Sequence, residues 1–189
     1  MRKTLLHSLL LALLGSPVFA TELLQNPGFE TGQLPPWFQA RDNCSMYCVD
    51  WVVVPFGHSG QYSASVVGGI ELRQNFTPTP GSQITSVSFW VEIGAPYGGS
   101  GAVDFFYTDS SDESFGYTVN SGNWAFVDVT NDVDKNKTLM GFSIWGGGQT
   151  EMRYFDDLSV QAVPEPGSLV LLGSAILGLG GLARRKFNL

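Results

Sequence analysis

Between Thr21 and Val163 the sequence predicts an all-β fold, a sandwich or barrel of antiparallel strands. Runs of about 5–10 residues recur between turn signals, and no long stretch shows helical periodicity. The clearest run sets Val87, Phe89, Val91 and Ile93 in alternation with Ser86, Ser88, Trp90 and Glu92. That period of two marks a strand with one buried face and one partly wet face. In chain order the expected strands are Trp51–Val54, Tyr62–Val67, Glu71–Phe76, Thr85–Ile93, Ala102–Thr108, Phe115–Val119, Trp124–Thr130, Leu139–Trp145 and Arg153–Gln161. Pro78–Gly81, Ser110–Glu113 and Asn120–Asn123 read as connections, because Pro, Gly, Asn, Asp and Ser punctuate strands.

Both ends of the sequence read as addresses. Arg2 and Lys3 precede an apolar run from Leu5 to Leu14, the breakers Gly15, Ser16 and Pro17, and then Val18-Phe19-Ala20. This is the pattern of a secretory signal peptide over residues 1–20, cut after Ala20. At the other end Val163-Pro164-Glu165-Pro166-Gly167 leads into an apolar run, Ser168 to Ala183, followed by Arg184, Arg185 and Lys186. As a helix the run is about 24 Å long, slightly short of a hydrocarbon core of roughly 30 Å. It can cross if flanking basic residues snorkel and the bilayer thins. A basic cluster after the span places the C-terminus in the cytoplasm and the middle outside. Three regions follow: residues 1–20, the body 21–163, and the C-terminal segment 164–189.

Charge narrows the function of the body. It holds five basic residues (Arg41, Arg73, Lys135, Lys137 and Arg153) against 16 acids, a formal −11, where the whole chain carries −7. Such a body repels phosphate backbones, which excludes nucleic-acid binding. Its size suits one independent core.

Few residues offer catalysis. Cys44 and Cys48 are the sole cysteines, with three residues between them in an exported chain, and read as a local disulfide. That bridge shapes one loop and adds at most about 2 kcal/mol. Zinc would need more ligands, and His58 is the one histidine after the leader. A serine–histidine–acid arrangement would have to use His58, which sits in a His-Ser-Gly turn and reads as a structural histidine. Asp132-Val133-Asp134-Lys135-Asn136 mimics the start of an EF-hand loop, but Lys137 stands where Gly is needed and Ser143 where the closing Glu belongs. The body is therefore expected to be non-catalytic.

Tryptophans suit sugar binding, since apolar C–H faces of sugars stack on exposed rings. Trp90 lies on the polar side of its strand with Glu92. Trp145 shares its side with Ser143, opposite Met140, Phe142 and Ile144. Trp90 and Trp145 are the expected platforms, although a two-sheet core also consumes large aromatics. Trp37, beside Pro35-Pro36, reads as a plug under the first loop.

Pro164-Glu165-Pro166, the Gly-rich apolar run and the basic tail together resemble the PEP-CTERM sorting signal of Gram-negative bacteria. The resemblance implies recognition by a membrane-embedded exosortase, which would cleave near the motif, and association with exopolysaccharide and biofilm matrix. A plain C-terminal anchor with a stiff Pro-Glu-Pro spacer is the competing reading.

The body resembles galactose-binding-like jelly rolls, a superfamily that includes many carbohydrate-binding modules. The residues that carry this are Leu24–Gly32 with Trp37, then His58–Tyr62, Phe89-Trp90 and Phe155–Val160. Arg41–Val49, with both cysteines, departs from the common pattern. The resemblance implies a jelly-roll β-sandwich. It also implies a structural Ca2+ held by Glu30 and by Asp156 or Asp157, which occupy matching positions. Adjacent acids on a strand repel unless compensated, and a cation would compensate them. Two functions remain open: a matrix or envelope protein associated with extracellular polysaccharide, and a structural coat protein that contacts protein neighbours without a sugar site. The acidity of the body favours neutral over anionic polysaccharide, unless Ca2+ bridges the two.

Overall fold

The computed structural model describes residues 19–43, 48–94, 98–120, 122–147 and 151–163. The expected signal peptide, the sorting motif Pro164, Glu165 and Pro166, the apolar run and the basic tail Arg184, Arg185 and Lys186 lie outside the described residues, apart from Phe19 and Ala20. Thr21–Ala162 forms one compact unit.

The strands are β1 (Thr21–Glu22), β2 (Phe38–Asp42), β3 (Val49–Val54), β4 (Ser63–Val67), β5 (Ile70–Pro80), β6 (Ile84–Ile93), β7 (Gly99–Tyr107), β8 (Asp112–Val119), β9 (Ala125–Asp128), β10 (Thr138–Trp145) and β11 (Met152–Ala162). Two antiparallel sheets result. The first has the order β3-β4-β11-β6-β9, with β1 also paired to β11. The second has the order β2-β5-β10-β7-β8. Short 3-10 turns at Gly81–Gln83 and Thr130–Asp132 join strands.

Alternation explains the layers, because side chains two apart share a sheet face. Val87, Phe89, Val91 and Ile93 of β6 and Phe155, Leu158 and Val160 of β11 face inward from the first sheet. Leu72 of β5, Val103 and Phe105 of β7, and Leu139, Phe142 and Ile144 of β10 meet them from the second. Most of these side chains are fully buried, each contributing about 1.5–3 kcal/mol. Trp37 and Trp51 join this core, with their indole N–H groups donating to the carbonyls of Asn26 and Ile70. Trp37 is thus the buried plug expected of it.

The structure departs from the expected elements in three places. First, β1 and β2 carry too little pattern to read. β1 has two residues, fixed because the Glu22 carboxylate accepts the N–H of Val160, the Ser159 hydroxyl and the Gln161 amide. β2 is exposed throughout and takes its shape from pairing with β5. Second, β5 continues through Pro78 to Pro80. β2 pairs with β5 only as far as Arg73, so the prolines lie beyond that edge pairing and remove no β2 hydrogen bond. Third, β8 begins at Asp112, inside the expected connection.

Candidate functional site

The outer face of the second sheet collects polar and aromatic side chains in cross-strand rows. Register places Arg73, Ser143, Asp104 and Ser114 in one row, Asn75, Gly141, Phe106 and Asp112 in the next, and Glu71 opposite Trp145. A bulge between Leu139 and Gly141 shifts the alternation of β10. Met140, expected on the inner face with Phe142 and Ile144, therefore turns outward and lines a groove.

That groove has a volume of about 440 Å³, lined by Arg41, Arg73, Phe106, Ser111, Asp112 and Met140 among others. Cations and rings interleave beside it. The Arg41 guanidinium lies 5.7 Å from the Trp145 ring centre and 5.4 Å from that of Phe106, and Arg73 stacks 3.5 Å above Phe106. Beneath Arg41, the Glu71 carboxylate accepts an ion pair from Nε at 2.8 Å, and Asp104 Oδ2 lies 3.5 Å from Nη2. Asp104 Oδ2 also accepts the Trp145 indole N–H at 2.8 Å, which fixes the ring.

Glu71 and Asp104 are buried. Burial pushes the Glu71 carboxyl above its ordinary range, against the pull of the Ser143 hydroxyl and Arg41. Burial likewise draws the Arg73 guanidinium below its ordinary value. Glu71 Oε1, Asp104 Oδ1 and Ser143 Oγ are fully buried in this layer. An open groove bordered by aromatic rings and hydrogen-bonding side chains suits hydroxyl-rich ligands.

Of the two expected platforms, the structure sets Trp145 on this face and Trp90 on the outer face of the first sheet, so they serve different surfaces. The His58 ring covers Trp90 at 3.8 Å and 15°, leaving that indole face unavailable for a sugar. Both belong to an aromatic strip. Phe126 lies 5.4 Å from Trp90, Trp124 5.5 Å from His58, Phe56 5.8 Å from Trp124, and Tyr154 4.7 Å from Phe56. Phe126 and Phe56 are exposed. Glu92 on the same sheet is raised by burial.

Glu30, Asp156 and Asp157 meet around the loop from His58 to Tyr62. The Glu30 carboxylate accepts the N–H groups of Gln61 and Tyr62. Asp156 Oδ2 accepts those of His58 at 2.7 Å and Ser59 at 3.0 Å, while Oδ1 accepts that of Asp157 at 2.7 Å. Asp157 accepts the Ser59 hydroxyl and pairs with His58 Nδ1 at 2.8 Å. Burial raises Asp156 to about 6, although its three N–H donors oppose the shift. In this structure N–H and O–H donors of the loop occupy these carboxylates. Among the described residues no group of three or more His, Cys, Asp or Glu has the arrangement of a metal site. These acids clasp a loop, and the repulsion between Asp156 and Asp157 is met by N–H donors. Cys48 is disulfide-bonded, while Cys44 lies outside the described residues.

Sequence reasoning missed Arg41, Arg73, Asp104, Glu71 and Phe106 as site residues. The alternation Glu71, Arg73, Asn75 against Ile70, Leu72, Gln74 is a signal for one polar face, but only the sheet order shows which neighbours share it.

No curated protein matches this chain. Among solved structures it is similar to the carbohydrate-binding module TmCBM61, solved in complex with β-1,4-galactotriose, at 22% identity and a TM-score of 0.53, covering 74% of this chain and 97% of the module. The CBM22-1 xylan-binding domain of Paenibacillus barcinonensis Xyn10C gives 12% identity and 0.56, covering 78% and 98%. A family 16 carbohydrate-binding module gives 15% and 0.52, covering 73% and 98%. These likenesses show the fold, a jelly-roll sandwich of the carbohydrate-binding-module type. Residues 162–186 match the model of the PEP-CTERM protein-sorting motif, so the chain joins a jelly-roll body to a PEP-CTERM sorting signal.

Proposed function

We propose that this protein is exported, sorted by an exosortase through its C-terminal motif, and associated with extracellular polysaccharide as a non-catalytic binding module. The observation that carries the reading is the outer face of the second sheet: a groove lined by Phe106, Arg41, Arg73, Ser111 and Asp112, with the Trp145 ring beside Arg41. The sorting motif and the resemblance of the body to modules that bind galactotriose and xylan support it. The leader over residues 1–20 and a membrane-spanning run within 164–189 complete the route, giving an anchored precursor and then a cell-surface or matrix protein. Affinity electrophoresis of the full-length protein in detergent, through gels containing xylan, galactan or the host's exopolysaccharide, tests the binding. Retardation reduced at least several-fold by Trp145→Phe, which leaves a smaller aromatic ring and loses the N–H to Asp104, supports it. Mobility unchanged in every gel overturns it. Replacing Pro164, Glu165 and Pro166 by Ala tests the sorting: unprocessed precursor accumulates in the membrane if an exosortase reads them.

The aromatic strip on the first sheet favours a second reading, a structural envelope protein that contacts neighbours through that face. Cross-linking abolished by Phe126→Ser, with glycan retardation absent, would favour that reading over the first.

A further inference from the structure

The body is strongly acidic, yet the lining of its groove is not. Two of the five basic residues of the body, Arg41 and Arg73, line it, against one acid, Asp112. Arg41 is committed: it pairs with Glu71, Asp104 and Asp112. Lys137 pairs with Glu113 and Asp134, and Lys135 donates to the carbonyls of Ile84 and Thr130. Arg153 is buried and donates to the Ser100 carbonyl. Arg73 differs. Its Nε donates to Asn75 Oδ1 at 2.9 Å, its plane rests on Phe106, and among the described residues its two Nη groups meet neither an acid nor a hydrogen-bond acceptor. A stacked guanidinium keeps its in-plane N–H edge free, and that edge matches a carboxylate with two parallel hydrogen bonds.

We infer that the groove recognises the carboxylate of an acidic sugar residue, with Arg73 donating from both Nη groups. The inference rests on the sugar-binding reading and names its substrate class. It reverses the expectation of neutral polysaccharide, which followed from the charge of the whole body. Glu71, Asp104 and Asp112 all pair with Arg41, which leaves Arg73 as the cation of this face whose Nη groups can meet a ligand carboxylate.

The test uses the full-length protein in detergent and affinity gels of polygalacturonate, alginate, methyl-esterified polygalacturonate and neutral xylan. The expected result is retardation in an acidic gel at least tenfold stronger than in the ester gel. Arg73→Ala should remove that preference, and 0.5 M NaCl should weaken it. Arg73→Lys keeps the charge without the fork and should recover only part of it. Lys135→Ala, which changes net charge equally away from the groove, should leave it intact. Thermal melting of each variant excludes unfolding as the cause. Equal binding to acid and ester, or a preference that Arg73→Ala leaves untouched, overturns the inference while the sugar-binding reading stands. Binding to xylan alone has the same meaning. Retardation in none of the gels overturns the inference and counts against the sugar-binding reading as well.

Discussion

Arg41 shows how one side chain on an edge strand can govern a buried face. It is about half exposed, yet it supplies the ion-pair partner of Glu71, whose side chain is fully buried. Removing it by Arg41→Ala leaves that carboxylate without its countercharge, at a cost of about 1–3 kcal/mol after allowing for solvent at the guanidinium. Adding Glu71→Gln to the same chain should recover part of the loss in chemical denaturation. Additive losses would show that the pair is not coupled. Asp156 makes a second residue-scale prediction. Its carboxyl is raised to about 6 by burial, so the folded chain holds a proton there that the unfolded chain releases at lower pH. The stability this proton adds is fully present below the ordinary carboxylate pKa of about 3.9 and is lost as pH rises through 6. An NMR titration of the Asp156 carboxyl carbon should have its midpoint near 6; a midpoint near 4 would refute the burial argument.

At the scale of elements, the loop from His58 to Tyr62 is held by acids from two distant parts of the chain, Glu30 after β1 and Asp156–Asp157 on β11. Its N–H groups satisfy those acids without a cation. A melting curve of the purified protein should therefore be the same in calcium and in chelator, and a rise of several degrees with calcium would restore a metal-bound clasp. Nine strands were legible because their alternation is strong, as in β6. β1 and β2 were not, because two residues held by Glu22 and five exposed residues held by pairing carry no pattern of their own. The platforms were legible as residues but not as a site. Trp90 and Trp145 both sit on outward faces, yet sheet order alone shows that those faces belong to different sheets. The structure sets Glu30, Asp156 and Asp157 around one loop, and their partners there, mostly backbone N–H groups, leave no trace in a sequence.

Across the whole molecule, charge acts in two directions. An excess of acids strains the compact state through self-repulsion. Added salt screens it, so the melting temperature should rise by a few degrees between low salt and 0.5 M NaCl. Retention on an acidic polymer should fall over the same range, because that contact depends on a cation in the groove. A melting temperature that falls with salt would show that attractive pairs such as Lys137–Glu113 outweigh the repulsion.

The position of β11 has a mechanical consequence. It lies between β4 and β6, with β1 laid against its last two residues, Thr21 opposite Ala162. The chain therefore leaves the sandwich towards its sorting signal from an interior strand. A tug along that strand loads hydrogen bonds on both of its sides together, in shear, whereas an edge strand such as β3 has bonds on one side alone to share the load. A surface protein tethered at this end would resist traction from the matrix through its best-anchored strand.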